Sequence, residues 1–62
     1  MSKVEMIQKA IAVLETRRNC FMIQALAATT PTEQQSWERD VKQIEARLVE
    51  LKVELKALTE IV

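Results

Sequence analysis

Apolar residues return along the second half of the chain at steps of four and three: Trp37, Val41, Ile44, Leu48, Leu51, Leu55, Leu58 and Val62. That spacing keeps one side chain per helical turn on a single line, the a/d seam of a helix that packs against another helix. The first half carries a similar row. Val4, Ile7, Ile11, Leu14, Arg18, Phe21, Ala25 and Ala28 follow one another at steps of three and four. Two amphipathic helices are therefore predicted, each with a seam to bury.

The ends of these helices are legible as well. Ser2 followed by Glu5 fits a capping box, in which the hydroxyl accepts from the Glu5 amide and the Glu5 carboxylate reaches back to accept from the Ser2 amide. Thr30, Pro31 and Glu33 repeat the pattern, with proline in the first helical position where its missing N–H costs nothing. Proline also disfavours helical geometry at Thr30. These signals predict an all-α fold. It is an antiparallel helical hairpin, with helices over 2–29 and 31–61 joined by a turn over 29–31, in a single domain spanning 1–62. A continuous helix bent at Pro31 is the structural alternative.

Counting back from the turn places residue i beside residue 60 minus i. Phe21 then meets Trp37 near the turn, and aliphatic layers fill the other end. Each helix also has a second, weaker stripe. In the first it is Met6, Ala10, Val13, Arg17 and Cys20; in the second, Ala46, Val49, Val53, Ala57 and Ile61. One helix–helix contact needs only one stripe per helix. The extra stripes predict that two hairpins dimerise into a four-helix bundle. The stretch from Cys20 to Ala28 is apolar nearly all round, which predicts burial on several faces.

Size points the same way. A chain of 62 residues gives a marginal core, and self-association is a common remedy. Net charge is zero, from nine basic and nine acidic residues. Residues 1–30 carry +2 and residues 31–62 carry −2. Opposite signs favour antiparallel docking, but the imbalance is too small for long-range steering toward nucleic acid or anionic lipid.

Composition narrows the chemistry. The chain has no glycine and no histidine. It thus lacks the glycine-rich loops that cradle phosphates, the commonest general base and the commonest metal ligand. No catalytic, cofactor-binding or metal-binding residue is assigned. No apolar run is long enough to span a membrane, and the first residues lack a signal-peptide pattern, because Glu5, Gln8 and Lys9 interrupt them. The single cysteine, Cys20, cannot form an internal disulfide, so a reducing, cytoplasmic location is expected.

Individual side chains give weaker pointers. Arg18 stands in the seam and Arg17 on the second stripe. Their aliphatic stems are expected to pack while the guanidinium groups reach Glu38 or Glu45. The competing reading makes them a grip on an acidic partner or a phosphate. Cys20 is expected to be a small buried hydrophobe. Trp37 is expected in the core against Phe21; if exposed, it would be a binding anchor. Met1, Met6 and Met22 fill gaps or form an adaptable contact surface. Glu38 and Lys42 are spaced for an ion pair. The interface candidates, toward a second copy or another protein, are Arg17, Arg18, Met22, Val49, Val53 and Ile61. The core candidates are Phe21, Trp37, Val41, Ile44, Leu48, Leu51, Leu55 and Leu58.

Two resemblances accompany this layout. In length and arrangement the chain looks like the small plasmid RNA-binding regulators that build a four-helix bundle from two hairpins. Trp37-Glu38-Arg39-Asp40, with Ile44-Glu45 following, resembles the second helix of small type III secretion needle co-chaperones. No site residue is carried over from either. The expected function is that of a non-enzymatic adaptor, inhibitor or regulator working through protein–protein contacts as a homodimer. Its partners are expected to be a second copy and another protein, with neither nucleic acid nor membrane. A subunit of a hetero-complex such as a needle co-chaperone, and an RNA-binding bundle, are the alternatives.

Overall fold

The computed structural model of the chain describes residues 1–60. Two helices, α1 (Lys3–Ala27) and α2 (Pro31–Thr59), pack against each other as a hairpin, with no strand among the described residues. Ile61, counted above among the interface candidates, and Val62, the last seam position, lie outside them.

The forward bond of each capping box forms, while the return bond from the glutamate carboxylate to the cap amide does not form among the described residues. The Ser2 hydroxyl accepts from the Glu5 amide at 3.1 Å, and the Thr30 hydroxyl accepts from the Glu33 amide at 3.2 Å. Each satisfies one of the orphan donors of a first helical turn. Ser2 is itself extended (φ −73°, ψ 161°), so α1 begins at Lys3 rather than at 2. The other end also differs from expectation. Ala28 is extended (φ −63°, ψ 136°) and closes α1 with a bond from its amide to the Ala25 carbonyl, so the helix stops at Ala27 rather than at 29. A three-residue link, Ala28-Thr29-Thr30, therefore joins the helices, and proline's own constraint acts on Thr30. At the far end, α2 stops at Thr59 with Glu60 as its cap.

The core lies between the seams, toward the open end of the hairpin. Ile7, Ile11, Leu48 and Leu51 are buried together, and Leu14, Ile44, Leu55 and Leu58 pack around them. Leu48 is the most enclosed of these, at 3 % exposure. Val41 is buried nearer the turn. There the Phe21 and Trp37 rings meet, tilted by 44° with centroids 5.4 Å apart. That is a favourable aromatic geometry, and both residues are half-buried. A Lys3–Glu54 ion pair (3.3 Å) joins the helices at the open end. Both side chains are well exposed, so its contribution is small, ~0–1 kcal/mol.

The result is a single layer of two helices, 49 × 17 × 11 Å. Its radius of gyration, 14.5 Å, compares with about 10.6 Å for a globular chain of this length.

Candidate interaction surface

Three clusters of exposed apolar side chains stand out. The first runs along the outer side of α1, where Val13, Cys20 and Ile23 are exposed. Counting at 100° per residue from the buried Ile7 and Ile11 turns this side away from α2. A shallow depression there is lined by Ala12, Val13, Thr16, Arg17 and Cys20. It exists because three of its residues are small.

The second cluster is a groove of about 340 Å³ between the helices near the turn, floored by Met22, Ala25, Leu26 and Val41 and rimmed by Gln34, Glu38, Lys42 and Glu45. Leu26 is 86 % exposed. The third is the outer side of α2, where Val49 and Val53 are each more than 60 % exposed.

The two outer clusters face in opposite directions. The second stripes therefore do not combine into one surface for one partner, as the expectation of hairpins packed by both stripes requires. A second hairpin of the same shape can cover the outside of α1 or the outside of α2, not both.

Several further expectations change. The stretch from Cys20 to Ala28 is not buried on several faces within the hairpin: Phe21, Ala25 and Ala28 are half-buried, and the rest, Cys20 included, are exposed. A lone α2 can cover only one side of α1. Glu38 accepts from the Gln34 side-chain amide (3.2 Å). It makes no ion pair with Lys42. Arg17 is exposed and Arg18 half-buried, and neither forms an ion pair with Glu38 or Glu45. The Nε of Arg18 is shut off from solvent and makes no hydrogen bond. Arg18 instead lines a small depression with Glu45, Leu48, Val49 and Lys52. No carboxylate comes within ion-pair distance of it among the described residues.

The basic residues do not form a patch within one chain. Lys3 is engaged by Glu54, Arg18 is half-buried, and Lys9 lies two turns from Arg17. Among the described residues no group of three or more carboxylate or thiol side chains is placed to hold a metal ion, and no helix is long and apolar enough to cross a membrane. The distribution of exposed apolar area over three clusters was not legible from the seams. The second stripes already carried Val13, Val49 and Val53, and the charge-free run from Asn19 to Thr32 holds Met22, Ile23, Ala25 and Leu26.

The chain matches no protein-family model, and neither a curated protein nor a solved structure matches it.

Proposed function

We propose that this chain is a non-enzymatic contact module: a helical hairpin that pairs with a second copy into a four-helix assembly, and uses the surface left over to bind another protein as an adaptor, inhibitor or regulator. The observation that carries this reading is unburied area. The chain exposes 4883 Å². A folded monomer of 7.1 kDa is expected to expose about 4,100 Å². The excess, about 800 Å², is what one partner contributes to an interface of standard size. It arises because a single layer of two helices has one side of each helix with nothing to cover it, whereas stable folds stack layers over a shared core.

The presence of apolar clusters on opposite sides supports a module with two contacts rather than one. After a second copy takes one outer side, the other remains for a different protein, in the manner of a helix face laid into a groove. The same feature favours, as a second reading, a subunit of a hetero-complex in which the partner covers both sides.

Solution mass tests the proposal. Sedimentation equilibrium across nanomolar to high micromolar concentration is expected to show a reversible monomer–dimer transition. A well-folded chain that stays monomeric throughout would overturn the paired form.

A further inference from the structure

We infer that the second copy docks on the outer side of α1, so that the two α1 helices run antiparallel through the middle of the assembly and the two α2 helices lie outside. This rests on the paired reading above and assigns its contact surface.

The choice between the two outer sides follows from what each would have to desolvate. Between Ala10 and Ala28, α1 has charge only at Glu15, Arg17 and Arg18, and none lies between Asn19 and Thr32. Glu15 and Arg18 turn toward α2 or its flank and are half-buried. The outer side therefore presents Val13, Thr16, Cys20 and Ile23 as a stretch free of acids, with Arg17 at its edge and Lys9 one turn before Val13. The one hydroxyl there is already satisfied, since Thr16 Oγ1 donates to the Ala12 carbonyl at 3.0 Å. Burying this side leaves neither an unpaired charge nor an orphan donor, the two costs that usually oppose association.

The outer side of α2 is different. Val49 and Val53 stand among Lys42, Glu50, Lys52 and Lys56, and Glu50 is held by Arg47 at 2.9 Å. Lys56 is paired with Glu60 at 3.8 Å, but covering that side against a second copy would still strip water from ions of mixed sign, and among the described residues neither Lys42 nor Lys52 is in an ion pair.

The α1 side is also complementary to itself. An antiparallel pair with its two-fold axis near Arg18 sets Val13 against Ile23 of the second copy at both ends of the contact. It sets Thr16 against Cys20 between them, where small side chains let the backbones approach. The same register carries Lys9 to the C-terminal end of the other copy's α1. That last turn contains no basic residue of its own, and positive charge is favoured there. Arg17 falls on the rim, and the two-fold axis puts both copies' Arg17 on the same edge. Their repulsion is screened by salt, so an interface that is otherwise apolar should tighten as salt is added.

Cys20 is the only thiol and reports the geometry directly. The unmodified chain is treated with a short bismaleimide, and its mass is followed by sedimentation in parallel, for wild type, Ile23→Glu and Val53→Glu. A dimer that cross-links through Cys20 and survives Val53→Glu is the expected result. Ile23→Glu should weaken it by on the order of 100-fold, since each copy would then bury an unpaired carboxylate. A dimer that does not cross-link, or that is lost only with Val53→Glu, would overturn the α1 assignment while leaving the paired reading intact. A folded monomer at every concentration would overturn both. Far-UV circular dichroism identifies a variant that has merely unfolded, and the cross-linking arm needs no substitution at all.

Discussion

Replacing Arg18 with methionine is expected to stabilise this protein, the opposite of what most core-facing substitutions do. Arg18 stands in the α1 seam between Leu14 and Phe21, and its Nε is closed to solvent without a hydrogen bond. Leaving such a donor unsatisfied costs about 1–3 kcal/mol. Arg18 is only half-buried, so the rest of its guanidinium still reaches water and the charge is not fully desolvated. The recoverable energy is therefore in the lower part of that range, ~1–2 kcal/mol. Methionine keeps an unbranched stem and a helix propensity close to that of arginine, so little else changes. Replacing buried ions with apolar groups of similar volume is often neutral or stabilising. Urea unfolding followed by far-UV circular dichroism measures the effect. Protein concentration must be held fixed because association adds to apparent stability. With a slope near 1 kcal/mol per molar urea, the midpoint should rise by roughly 1–2 M. Arg17→Met, on an exposed residue, is the control and should move stability by no more than about 0.5 kcal/mol. A fall in the Arg18→Met midpoint would refute the reasoning. It would mean that the guanidinium holds a partner in solution, with Glu45 the first candidate because it lines the same depression. Glu45→Gln should then cost as much, and the double variant no more than either.

Two further substitutions test the fold. Leu48→Ala removes the most enclosed side chain of the core cluster and should cost about 2–5 kcal/mol. In so small a core that is enough to abolish the cooperative thermal transition, which calorimetry would reveal. Thr30→Ala deletes the cap of α2 and should lower stability by about 1 kcal/mol while leaving the Trp37 fluorescence of the folded state unchanged. A loss below the error of a urea melt would show that the link holds α2 without its hydroxyl.

Much of the architecture was legible because it depends on local rules. The caps at Ser2 and Thr30 need only a hydroxyl three residues before an amide. The place of the turn follows from Pro31, and the contact between Phe21 and Trp37 follows from counting outward from it. Misplaced features were those that depend on a neighbour. The expected burial of Cys20 rested on its apolar surroundings in the sequence, but those surroundings are spread around a helix that has another helix on one side only. The expected pairs of Arg18 with Glu38 or Glu45 and of Glu38 with Lys42 rested on spacing. Spacing brings charges near each other without aligning their ends, and Glu38 is taken by Gln34.

By itself, then, the order of residues determines two helices, their caps, the reversal between them and which seam each one hides. These are one-dimensional properties, set by periodicity and by backbone chemistry within a few residues. Only the folded hairpin decides where the leftover apolar side chains point. Packing one seam against the other turns Val13 and Ile23 one way and Val49 and Val53 the opposite way. That direction depends on how each helix is rotated about its axis against its neighbour, which no stretch of one helix contains.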